Sequence, residues 1–326
     1  MMRPKLKNIF IALLAIAIAW KLTDLVISTN YINLPVLLAI AAAFPIFGLG
    51  FMFSGARLNI LMGSDVHIGT VCATKAIILC SGLNCIIPGR LSELIKPLYF
   101  KKNRNASLSV GLSSVMLERV TDLFLLMLAV AFLGGSGFEL QWQTFGTVTA
   151  LLFLGIVTLP YCHKIYGTIL TQLLPWKRWR NLALNMLAHF TTCARSSKIW
   201  QALFFGALTW LSSFLSVYVF LAMAVDADLA KRAALEFLAA TSLAYMIPGL
   251  PGGIGIYEAA GAFVLKRWGI PYDQGLLLSA AFHVAQLAFA LLGTFILIFF
   301  EKVNFTQFKA EIIRYKNKLN TSAAPE

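Results

Sequence analysis

The sequence predicts an all-α, polytopic membrane helix bundle made of two inverted halves, each with a re-entrant helical hairpin. Three observations lead there. The mean hydropathy is +0.78 over 326 residues, and only 13% of residues are charged, about half the soluble norm. Apolar runs long enough to cross a bilayer recur along the chain. Two shorter apolar regions are each broken by Pro-Gly.

A hydrocarbon core of about 30 Å needs roughly 20 helical residues. Segments 8–28, 34–53, 107–133, 142–160, 199–224 and 274–300 meet that and are predicted as crossings one to six. The basic head "MRPKLK" before the first run resembles a signal peptide, with Ala-x-Ala at Ala15–Ala17 and Ala17–Ala19. Apolar residues resume past Lys21 and Asp24, so an uncleaved helix is expected.

The broken regions are Ala76–Ile87 with Leu91–Phe100 around Pro88-Gly89, and Leu235–Ile247 with Ile254–Leu265 around "PGLPGG". Each leg makes about 18–20 Å of helix, too short to span. Paired around its turn, each region enters the membrane and leaves on the same side. The tips are Pro88 and Gly89 in the first, and Pro248, Gly249, Pro251, Gly252, Gly253 and Gly255 in the second. Glycine there permits tight turns and close backbone approach.

"GLNCIIPG" (82–89) resembles "SLAYMIPG" (242–249), an offset of 160. Beyond the break the offset is 165, which relates Glu93 to Glu258 and Glu118 to His283. The halves, about 8–133 and 142–300, each hold three crossings and a hairpin. An odd number inverts the second half, and inverted repeats with broken helices are a transporter signature. One membrane domain is expected over 1–305. Segment 161–198 is its amphipathic linker along the inner membrane surface, with Leu182, Met186 and Phe190 four apart. A basic, polar tail covers 306–326.

The formal charge of +13 reads as basic loops on an anionic leaflet rather than a nucleic-acid surface. With both termini cytoplasmic, nineteen Lys/Arg, Arg57 and Lys75 among them, fall inside and five outside. The five cysteines show no metal-ligand spacing and are read as packing residues without disulfides. No metal or cofactor is expected.

The informative residues are the ions inside apolar sequence. Arg90, Glu93 and Lys96 are three apart, on one helical face. Left in lipid they would together cost about 8–10 kcal/mol, so they face protein or a wet cavity. "LERVTDLF" adds Glu118, Arg119 and Asp122; the sixth crossing adds His283 and Gln286; the second hairpin adds Tyr257 and Glu258. Two readings compete. These residues form buried ion pairs that set helix register. Alternatively, Arg90 and Lys96 hold an anionic headgroup while Glu93, Glu118, Glu258 and His283 bind a cationic group or couple protons.

"IIPGRLSELIKP", "ERVTD" and "IPGLPGGIGIYEAA" together resemble the transmembrane domain family of lysylphosphatidylglycerol synthases, the multiple peptide resistance factor group, over about residues 5–305. The family patterns are close to P-x-R-x-G-E, E-R-x-x-D and P-G-G-x-G-x-x-E. Matches fall at Pro88, Arg90 and Glu93; at Glu118, Arg119 and Asp122; and at Gly252, Gly253, Gly255 and Glu258. Ser92 replaces a common glycine, and His283 stands where arginine is frequent. Full-length members add a soluble aminoacyl-transferase, and the residues after 305 are too few for one. The resemblance therefore implies lipid translocation in a bacterial inner membrane and not lysyl transfer.

The expected function is a flippase-like transporter for an anionic or zwitterionic lipid or glycolipid headgroup. Its partners would be that lipid and anionic lipid at the cytoplasmic surface. The alternative is an accessory subunit of a lipid- or envelope-modifying enzyme. An intramembrane enzyme is disfavoured: there is no H-E-x-x-H or Gly-x-Gly-Asp, and Ser81 has only a distant candidate base in His283.

Overall fold

The computed structural model describes residues 33–63, 66, 68–86, 92–133, 142–173, 177–246 and 250–301, and these are helical almost throughout. Helix α1 (Leu34–Leu61) starts at Asn33, whose Oδ1 accepts the Val36 N–H at 3.3 Å, with proline in the first turn. Then come α2 (Thr70–Asn84), α3 (Ile95–Arg104), α4 (Leu108–Leu133), α5 (Trp142–Leu173), α6 (Lys177–Arg195), α7 (Lys198–Ala224), α8 (Ala227–Met246), α9 (Ile256–Arg267) and α10 (Tyr272–Glu301). Among the described residues, α1, α7 and α10 are long and apolar enough to cross a membrane. Helix α4 has the length, but it carries Glu118, Arg119 and Asp122.

The longest helix contact joins α1 to α7. Ser216 Oγ donates to the Ala43 carbonyl at 3.1 Å, and Ser212 Oγ donates to that of Ile46. Further along, Gly206 approaches Arg57. Rising numbers on α1 meet falling numbers on α7, so the two helices run antiparallel. Small residues (Ala39, Ala43 and Gly50 opposite Ser212 and Ser216) let the backbones approach, as in helix pairs that gain little from the hydrophobic effect.

Three further pairs of contacts match when the halves are exchanged, while those made by α5 and α6 have no counterpart among the described residues. Helix α2 packs on α1 as α8 packs on α7; α3 packs on α4 as α9 packs on α10; α2 touches α10 as α8 touches α4. An antiparallel central pair with matched neighbours on either side is the arrangement expected of an inverted repeat. The α2–α10 contact is close at Gly82. A Cβ there would lie 2.2 Å from Thr294 Oγ1 and 2.7 Å from the Ala290 carbonyl oxygen.

Both broken regions fold back on themselves, with α2 against α3 and α8 against α9. The legs differ from expectation. Helix α2 begins at Thr70 and has 15 residues; α8 begins at Ala227 and has 20. The extra turns of α8 come from "ADLAKRAA", nucleated where Asp226 Oδ2 accepts the N–H groups of Asp228 and Leu229 at 2.9 Å each. At about 1.5 Å per residue α8 reaches roughly 30 Å, so this leg is not a half-length one. At the second tip Gly252, Gly253 and Gly255 all take positive φ, conformations a side chain would strain, and Pro251 is buried. Pro88, Gly89, Arg90, Pro248 and Gly249 lie outside the described residues, as do the first crossing and the tail.

Two boundaries move. Helix α5 runs to Leu173, 13 residues beyond the predicted fourth crossing, so the linker's first third continues that helix. Helix α6 turns its apolar residues onto protein: Leu182, Met186 and Phe190 are half-buried where α6 packs on α4 and α5, while Asn181, Asn185 and Thr192 are exposed. All five cysteines are free.

Candidate functional site

Glu118 is the hub of the first half. It is fully buried, yet four donors reach it: Ser54 Oγ (3.1 Å), Arg57 Nη2 (3.1 Å), Lys96 Nζ (2.9 Å) and Arg119 Nη2 (3.1 Å). Asp122 takes the other Arg57 nitrogen at 2.5 Å, Arg119 at 3.3 Å and the Trp210 indole N–H at 3.3 Å. Glu93 closes the network on Lys96 at 2.9 Å and approaches Arg119 at 3.8 Å. Three cations thus face three carboxylates. Arg57 and Lys96 are 1% and 2% exposed, which pairing with carboxylates permits, although Arg57 Nε and Arg119 Nε have no hydrogen-bond partner among the described residues; the Arg119 side chain is 41% exposed.

The second half answers with a neutral-sized version. His283 Nδ1 lies 2.7 Å from Glu258 Oε1, and Glu258 Oε2 accepts the Gly255 N–H at 2.6 Å, closing the first turn of α9. The Tyr257 ring stacks on His283, centroids 4.0 Å apart and planes within 17°. The offset of 165 carries Glu93 onto Glu258 and Glu118 onto His283. In the first half that pair is bridged by Lys96; in the second it is bonded directly, and Lys96 maps onto Gly261. A Cβ at Gly261 would sit 2.4 Å from Ser279 Oγ, so no bridging side chain fits.

Between the two clusters lies a cavity of about 410 Å³. Its polar lining includes Arg119, Asp122 and Trp210 from the first cluster and its neighbour α7, and Tyr257, His283 and Gln286 from the second half. Phe47, Phe51, Leu123, Leu126 and Leu287 supply apolar surface. Residues related by the repeat offsets both line it: Ser81 and Thr241, and Cys85 and Tyr245, at 160 apart, and Asp122 and Leu287 at 165. Both halves of the chain thus contribute to its lining.

The profile of the lysylphosphatidylglycerol synthase TM region matches residues 8–294. The chain belongs to this family. It is also similar to UPF0104 membrane protein MJ1078 of Methanocaldococcus jannaschii, 26% identical over 243 residues, covering 71% of this chain and 96% of that protein. No solved structure matches. As a member of the lysylphosphatidylglycerol synthase TM-region family, the chain is a membrane protein with a lipid-related role.

The family-like residues divide into two sets. Arg119, Asp122, Tyr257, His283 and Gln286 line the cavity. Glu93, Lys96, Glu118 and Glu258 stand behind its walls, each carboxylate held by donors and Lys96 held between two carboxylates. Lys96 therefore offers no free ammonium to a phosphate, and Glu93 and Glu258 brace the walls instead of lining a path. Ser81 and His283 both reach the cavity but share no hydrogen bond, and His283 Nδ1 is directed at Glu258.

Sequence reasoning missed three contributors. Arg57 was assigned to a cytoplasmic loop, but α1 continues to Leu61 and buries it. Ser54, Arg57, Leu58 and Leu61 follow helical spacing, but Gly55 interrupts the run, so the sequence is compatible with either loop or helix here. Trp210 carries no sequence signal. Arg267, also placed in a loop, binds buried Glu236 at 2.7 Å beside the Trp268 indole at 2.8 Å, and so ties α9 to α8.

Proposed function

We propose that the protein moves the headgroup of a membrane lipid or glycolipid between leaflets, with the central cavity as the path. The carrying observation is the cavity's position and lining. It lies where the two halves meet, presents a polar surface from each, and has apolar sides that suit acyl chains. Family membership makes a lipid the natural occupant. In this reading the hairpins enter from opposite membrane faces, and the long α8 extends its charged first turns, with Asp228 paired to Lys231 at 2.9 Å, to the water boundary. The basic-residue bias favours cytoplasmic termini, and the setting proposed is a bacterial inner membrane.

The purified chain in liposomes should speed transbilayer movement of fluorescent reporter lipids at least tenfold over protein-free vesicles, read with an impermeant quencher. Equal rates would remove translocation. The topology has its own test. Lys102 at the end of α3 and Lys266 at the end of α9 are both exposed. In a variant whose native cysteines are replaced, Lys102→Cys and Lys266→Cys should react with an impermeant maleimide from opposite sides of the membrane. Reaction from the same side would contradict the inverted insertion.

A further inference from the structure

The charges around the cavity are already spent on one another. Among the described residues, Arg119 has Glu118 and Asp122 within 3.3 Å and Glu93 at 3.8 Å. Asp122 holds Arg57 as well, and His283 faces Glu258. Among the described residues, a phosphate or an ammonium entering this space would meet only ions that already face a counter-charge, although Arg119 Nε has no acceptor of its own. It would lose water and have to compete with an existing pair for its partner, which is unfavourable away from bulk solvent.

What the walls do offer is neutral hydrogen-bonding groups from several helices: Ser81 on α2, Ser213 on α7, Thr241 and Ser242 on α8, Gln286 on α10. The Tyr257 hydroxyl lies among them, against Thr241 and Gln286, and that of Tyr245 accepts from Asn84 Nδ2 at 2.7 Å. Hydroxyls and the amide both donate and accept, which matches a ligand whose own groups do the same. Phe47, Phe51 and Trp210 add aromatic surface for the C–H faces between such groups. The cavity's 410 Å³ falls within the range of about 300–1,000 Å³ typical of small-molecule sites.

We propose that the group entering the cavity is an uncharged, polyhydroxylated headgroup, a sugar or polyol carried on a lipid. This rests on reading the cavity as the headgroup site, and it adds the chemistry of the occupant.

The test uses three lipids with identical acyl chains: glucosyl-diacylglycerol, phosphatidylglycerol and phosphatidylethanolamine. Binding to the purified full chain is read by native mass spectrometry, and transbilayer movement is read in liposomes of phosphatidylcholine. Glucosyl-diacylglycerol should bind at least tenfold more tightly than either phospholipid. Gln286→Leu should remove most of that preference while leaving weak phospholipid binding in place. Phosphatidylglycerol binding as tightly as the glucosyl lipid, or no binding of any of the three, would overturn the assignment. The two proposals separate cleanly. Phospholipids that cross without preferential glucosyl binding leave translocation standing and sink this one; preferential glucosyl binding with no lipid crossing does the reverse.

Discussion

Replacing Glu118 by alanine should all but abolish folded protein. Four donors converge on its carboxylate, and two of them, Arg57 and Lys96, are almost wholly buried. Removing the hub leaves both cations short of a counter-charge where water is scarce. Breaking a buried pair in this way costs about 3–5 kcal/mol, a large share of the roughly 5–15 kcal/mol that holds a domain together. The readout is monodisperse yield and thermal unfolding in detergent. Adding Lys96→Met should recover part of the loss, because an apolar residue of similar length removes one stranded charge. A Glu118→Ala protein with unchanged Tm would mean that the network is decorative.

Blocking the cavity should do the opposite and stop movement while sparing the fold. Ser242 faces the cavity from α8 and is only half-buried. Ser242→Trp projects an indole into the empty space, so little packed structure has to shift. Its hydroxyl makes none of the hydrogen bonds that hold the helices together. Transbilayer transport should fall at least tenfold, toward the rate of protein-free vesicles, with a Tm close to that of the parent. Full transport through a plugged cavity would send the headgroup elsewhere. The two variants divide the site along the line that the geometry draws, between groups behind the wall and groups on it.

Much of this was legible in the sequence because burying an ion is expensive. Glu118, Arg119 and Asp122 inside an apolar run had to find partners, and the offset of 165 carries Glu93 and Glu118 onto the Glu258–His283 pair. Helices α4, α7 and α10 fall within two residues of their expected ends for the same reason: an apolar run stops where its composition changes. What escaped was set by tertiary contact. The position of Arg57 reads as loop or as helix until Asp122 and Glu118 are placed beside it. Which members of a charged cluster face the cavity depends on how α3 and α4 rotate against each other, and a shared helical face does not encode that. For α8 the expected leg began at Leu235, because the charges Asp228, Lys231 and Arg232 precede the apolar run; they stand in the exposed, capped first turns of a helix whose later turns are buried or half-buried.

The central claim is that lipid headgroups occupy the cavity lined by both halves of the chain. Its most direct test is photo-crosslinking in vesicles with a lipid carrying a diazirine in its headgroup, followed by peptide mapping. Adducts should fall on Arg119–Leu126 of α4 and His283–Ala290 of α10, and Ser242→Trp should remove them. Adducts confined to the exposed flank of α5, around Tyr161 and Ile165, and insensitive to that substitution, would contradict it.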